Sequence, residues 1–228
     1  MVNKLLILVV FLLSFLQAIA QEQKDSIVLS LKLQWKENPL VLNKTYISEN
    51  KDTLQLHQLK FYLSDIQLYF DDATSFSQKK YHLVDMEDLS STSIPVCKNN
   101  TKTISKVIFS VGVDSTASVS GALGGDLDPA KGMYWAWQSG YINMKIEGSS
   151  SSCKTRKNAF HFHVGGYLKP NYALRKIVLT PQSNSLEIIM DVSVLFDNLL
   201  LSEDNSVMIP GKKAMEIADK STKTFQFK

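Results

Sequence analysis

Along most of this chain apolar and polar residues alternate with a period of two, and helical spacing is rare. Leu29, Leu31, Leu33 and Trp35 are separated by Ser30, Lys32 and Gln34, and Ile66, Leu68 and Phe70 by Gln67 and Tyr69. Successive side chains on an extended backbone point to opposite faces, so each stretch predicts a strand with one face against a core. Further strands are expected over residues 54–63, 81–84, 106–111, 141–147, 160–164 and 174–179. The longest is expected over residues 186–196, where Leu186, Ile188, Met190, Val192, Val194 and Phe196 hold one face. Only residues 212–220 carry a helical pattern. Short strands joined by Gly, Ser, Asn and Asp clusters, with Ser149 to Ser152 read as one such loop, predict an all-β fold: an antiparallel β-sandwich-like single domain with a short C-terminal helix.

The N-terminus has a different pattern. Lys4 precedes an unbroken apolar run from Leu5 to Leu13, and Ala18-Ile19-Ala20 supplies the small residues a signal peptidase prefers. Residues 1–20 are therefore expected to be a signal peptide, leaving 21–228 as the mature domain. The run is shorter than the span of about 20 apolar residues that a bilayer requires. The chain is expected to be exported, periplasmic or secreted. No lipid anchor is expected, because Cys97 and Cys153 are the only cysteines and neither lies at the cleavage junction.

A 44% hydrophobic and 21% charged composition is ordinary for a globular chain, and the formal charge of +3 falls by one when Lys4 leaves with the leader. Such a weak positive balance gives no argument for nucleic acid or an anionic membrane. In an exported protein, Cys97 and Cys153 predict one disulfide. No GxSxG or HExxH motif is present, and no carboxylate pair has the spacing of a general acid and base, so no enzymatic activity is expected.

Two segments carry candidate chemistry. The first holds Asp126 and Asp128 in a turn-rich stretch, then Met133, Tyr134, Trp135 and Trp137. If the backbone is extended there, Met133, Trp135 and Trp137 share a face. Such a group can plug one end of a sandwich with Asp126 and Asp128 capping a turn. It can also offer Tyr134, Trp135 and Trp137 as a stacking platform for a carbohydrate or surface, or carboxylates for calcium. The second segment is Phe160-His161-Phe162-His163-Val164, in which alternation sets both histidines on one side and the apolar residues on the other. Two imidazoles at i and i+2 can converge on one ion or remain separate polar surface groups. His57 and His82 lie in predicted strands with no neighbouring ligand pattern.

Taken together, Gly125-Asp126-Leu127-Asp128-Pro129, the run from Gly132 through Met133-Tyr134-Trp135-Ala136-Trp137 to Tyr141, and the later His163-Val164-Gly165 resemble the MbnP family, associated with methanobactin operons. The resemblance is strongest over residues 112–148 and weaker at Phe61-Tyr62-Leu63-Ser64-Asp65-Ile66. It implies an exported, β-rich copper-binding protein in which a tryptophan, oxidised to kynurenine by a diheme peroxidase-like partner, helps form the copper site. Carried onto this chain, Trp135 or Trp137 is the candidate for modification. His163 is the first histidine ligand and His161 the second, with Met133 or Met144 as a soft neighbour. In methanotroph members the histidine motif continues through Gly-Ser towards a cysteine; here Gly165-Gly166-Tyr167 follows and Cys153 lies upstream.

Overall fold

A computed structural model describes residues 26–98, 102–138, 140–181 and 186–227; the expected signal peptide lies outside the described residues. Strands β1 (Ser26–Trp35), β2 (Asn38–Pro39) and β3 (Thr45–Ile47) lead into β4 (Thr53–Phe70), the longest element, and β5 (Ser75–Asp85) returns along it. There follow β6 (Ser93–Lys98), β7 (Ile104–Val111) and a short helix α1 (Ser115–Val119). Next come β8 (Tyr134–Trp135), β9 (Gly140–Ser150), β10 (Ala159–Gly165), β11 (Arg175–Leu179) and β12 (Glu187–Asp191). Helix α2 (Ser193–Phe196), β13 (Ser206–Val207), helix α3 (Lys212–Ser221) and β14 (Phe225–Phe227) complete the chain.

The strands form two sheets around one apolar core, in the all-β sandwich-like arrangement expected, with α3 as the C-terminal helix. The smaller sheet runs β14-β12-β1-β2, with β6 also on β1; the larger runs β11-β7-β4-β9-β10-β13, with β3 and β5 on β4 and β8 on β9. Pairing is mostly antiparallel, but β1–β12 and β10–β13 are parallel. As the alternation requires, Leu29, Leu31, Leu33 and Trp35 of β1 are buried between the sheets, where Trp35 stacks on Tyr46 at 4.6 Å between ring centroids. Each such fully buried large apolar side chain contributes about 1.5–3 kcal/mol relative to exposure.

Strand β4 organises the larger sheet. Residues 60–61 pair with both β5 and β9, and residues 63–64 with both β5 and β7, so β9 and β7 follow one another along the edge opposite β5. Its core-facing residues are Leu54 and Leu56, then Leu59, Phe61 and Leu63, then Ile66, Leu68 and Phe70. The phase slips by one residue at each break. Register shifts occur there too, between Leu56 and Gln58 and between Ser64 and Ile66, the second at Asp65 with φ of 49°.

Three expectations are corrected. The stretch 186–196 is a strand only to Asp191, because the Asp191 carboxylate accepts hydrogen bonds from Ser193 N (3.0 Å) and Oγ (2.7 Å) and turns the backbone into α2. Ser149 and Ser150, read as loop, belong to β9. The expected disulfide is not formed: Cys97 and Cys153 are free thiols. A bridge needs Cα atoms within about 7 Å of each other. Cys97 pairs with Ile27 in the smaller sheet, whereas Cys153 follows β9 of the larger one and points its Sγ at the Leu201 carbonyl, 3.4 Å away. Burial raises the pKa of both thiols.

Candidate metal centre

Residues paired directly across strands share a sheet face, so the registers map the outer surface of the larger sheet, the one turned away from the core. Asp85, Lys60, Lys145 and His163 form one row across β5, β4, β9 and β10. Gln58, Glu147 and His161 form the next. The register of β9 against β10 is fixed by a steric fit between strands at Gly148, where a β-carbon would come within 2.4 Å of the Phe160 ring and 2.2 Å of the Gln55 carbonyl oxygen. With Phe160 seated over Gly148, Phe160, Phe162 and Val164 enter the core and both histidines face outward, as the alternation predicts.

His163 and His161 thereby meet Glu147, a residue that sequence reasoning did not single out. His163 Nε2 is 2.7 Å from Glu147 Oε1, His161 Nδ1 is 3.8 Å from the same oxygen, and Lys145 Nζ is 3.5 Å from it. Among the described residues, Glu147, His161 and His163 form a group whose ligand atoms all lie within 4.8 Å of one another. Burial favours neutral His163 and, despite the opposing hydrogen bond to Glu147, leaves its pKa below the ordinary histidine value. Burial alone would raise Glu147; the hydrogen bond from His163 and the charge of Lys145 outweigh it and hold the carboxyl below its usual range. A neutral imidazole beside an ionised carboxylate requires the proton on Nε2, which then donates to Oε1.

Two imidazoles and a carboxylate form a donor set that accommodates copper, as it does zinc or iron. The Gln58 side-chain oxygen, in the register position beside Glu147, is buried and has no hydrogen-bond partner, an acceptor left over at the same place.

The tryptophan segment covers the adjoining part of the same face. Tyr62, Leu83, Val113, Leu127, Met133, Trp135, Tyr141 and Ile142 form a second apolar cluster, separate from the main core. The segment is pinned by the Tyr62 hydroxyl donating to the Asp126 carbonyl (3.0 Å) and the Tyr141 hydroxyl donating to the Gly121 carbonyl (3.1 Å). Asp126 accepts from Lys131 Nζ at 2.6 Å and Leu83 N at 3.2 Å, and Asp128 caps a 3-10 turn by accepting from Ala130 N at 2.8 Å. Both carboxylates thus have internal partners.

Trp135 is 6% exposed, and its indole lies where a β-carbon on Gly165 would be, 2.7 Å from ring carbon Cζ3. Gly165 and His163 are two apart on β10, about 7 Å of strand. The register against β9 shifts between Val164 and Gly165, so that Gly165 pairs with Ile142 of the second cluster and the indole lies over the outer face, further along the strand from His163. Trp137 does not share this burial. The chain turns after β8, leaving Trp137 63% exposed and tilted against Trp135 with ring centroids 6.1 Å apart, at a cleft of about 540 Å³ lined also by Tyr167, Leu168 and Ile209. Tyr134 packs edge-on against Tyr141. A three-ring stacking platform is not formed, because Trp135 is buried while Trp137 is exposed.

Met133 is fully buried in the cluster with Trp135, whereas Met144 faces the main core opposite Val164, on the wrong side of the sheet for the histidines. His57 contacts Asn43 Oδ1 (2.7 Å) and Ser149 Oγ (3.1 Å), and His82 contacts Gln78 Oε1 (2.8 Å); neither joins the site. Glu147 and Lys145 stand on the polar side of an alternating strand, but which histidine each meets depends on the β9–β10 register, and no local motif encodes it.

Comparison with known proteins agrees with this architecture. The sequence model of the family described as MbnP matches residues 24–209. Among solved structures, MbnP from Methylosinus trichosporium has a TM-score of 0.61 at 13% identity, with 82% of each chain covered, a likeness that speaks to the fold. No curated protein matches. The family match spans most of the sequence and includes both the tryptophan segment and the histidine strand: the chain belongs to the MbnP family.

Proposed function

We propose that this protein is an exported copper-binding protein whose site is built from His163, His161 and Glu147, beside Trp135. The single observation that carries the reading is the common face: the indole of Trp135 packs on Gly165, two residues along β10 from His163. The two imidazoles and the carboxylate supply donors, and the aromatic cluster excludes water from one side. Bound copper would act as the protein's cargo or resident ion, with no catalysis by the chain itself.

Trp135 is the better candidate for conversion to kynurenine, because it is the indole against β10; the new amine and carbonyl would add donors beside His163. Trp137, exposed at the open cleft, is the part of the segment that a diheme peroxidase-like partner would meet first. Export, to the periplasm or the medium, is supported by the leader-like N-terminus and by a family match that begins beyond it. Among the described residues no helix is long and apolar enough to cross a membrane.

The test is metal analysis and peptide mass mapping of protein isolated from its native host under copper exposure. Copper together with a kynurenine at position 135 is the expected result. A protein with unmodified tryptophans and no copper contradicts the proposal.

A further inference from the structure

The site contains a cation of its own. Lys145 lies directly across from His163 on β10 and from Lys60 on β4, with only 17% of its side chain exposed and its Nζ 3.5 Å from the Glu147 oxygen that His163 and His161 approach. Lys60, the adjacent lysine, is held by Asp85 at 2.8 Å and Glu87 at 3.3 Å on the far side. Lys145 therefore balances the charge of Glu147, and the group made by His161, His163, Glu147 and Lys145 is neutral overall when the imidazoles are neutral.

Resting on the copper reading, we propose that Lys145 sets the charge selectivity of the site, favouring a monovalent over a divalent metal ion. The repulsion between the ammonium and a bound ion scales with the ion's charge, so a divalent ion meets twice the opposing energy at the same position. Without Lys145, two imidazoles and a carboxylate would form a donor set that zinc and divalent copper bind readily. With it, the carboxylate's charge is already used, and a monovalent ion loses least. Lys145 thus acts through the field at Glu147 and need not touch the ion.

The test uses Ag⁺ as an air-stable monovalent probe and Zn²⁺ as a divalent one, titrated into the full mature chain and into Lys145→Met and Lys145→Arg variants, with thermal unfolding as the check on folding. Lys145→Met is expected to raise Zn²⁺ affinity by about a hundredfold and Ag⁺ affinity by about tenfold, since the logarithm of the gain follows the ion's charge. Lys145→Arg, which keeps the charge, is expected to retain the wild-type preference. Equal gains for the two ions in Lys145→Met, or loss of the preference in Lys145→Arg, overturn the selectivity role while leaving the copper reading in place. If no variant, nor the wild type, binds either ion, both fail.

Discussion

The side chain of Trp135 fills the space that a substituent on Gly165 would occupy, with ring carbons Cζ3 and Cη2 at 2.7 and 2.8 Å from the position of that missing β-carbon. This contact joins the two segments that carry candidate chemistry. Gly165→Ala should drive the indole off β10 at a stability cost of about 1–3 kcal/mol, the usual range for overpacking. Chemical denaturation and intrinsic fluorescence report it: the variant should unfold earlier and show a more solvated Trp135. Unchanged stability and emission would mean that the indole does not rest there.

Glu147 is expected to matter for metal binding more than for folding. Glu147→Gln keeps the shape but removes the charge that His163 and His161 face, and should lower copper affinity about 10–100-fold, the effect typical of losing a partner that orients metal-binding imidazoles or a weak ligand. A competition titration against a chelator measures it. Copper affinity equal to wild type would remove Glu147 from the site.

Two histidines make stability depend on pH in a predictable direction. Burial lowers the pKa of both His82 and His163 relative to the unfolded chain. Below the ordinary histidine value the unfolded chain then binds protons more readily than the folded one, so stability falls as pH drops through about 6.5. Denaturation midpoints of metal-stripped protein should be lower at pH 5 than at pH 7.5, and His82→Gln should flatten part of that slope. A slope untouched by the substitution would show that His82 titrates alike in both states.

The free thiols give a simple check. Unfolded protein prepared without reductant should react at both cysteines, whereas in the native state Cys153, buried under Leu201, should react far more slowly than the half-buried Cys97. Unfolded protein without titratable thiols would restore the disulfide that the sequence suggested.

Much of this fold was legible because burial imposes its period on the sequence. The core residues of β4 even record its bulges: the spacing of three from Leu56 to Leu59 and from Leu63 to Ile66 marks where an extra residue enters the strand. The stretch 186–196 misled because Val192, Leu195, Phe196 and Leu199, all buried, also fit the helical spacing of i, i+3, i+4 and i+7. Only the Asp191 hydrogen bonds to Ser193 decide between the two. The histidine pair was visible as a local alternation, but its partners Glu147 and Lys145 arrive through a register set by Phe160 over Gly148, a long-range fit with no local signature.

The most direct test of the outward-facing site is the copper retained after exhaustive dialysis by wild type and by the His161→Ala/His163→Ala double variant, both produced in the native host. The account predicts retained copper in the wild type and its loss in a double variant that still folds. Equal copper in the two proteins would place the metal elsewhere and contradict it.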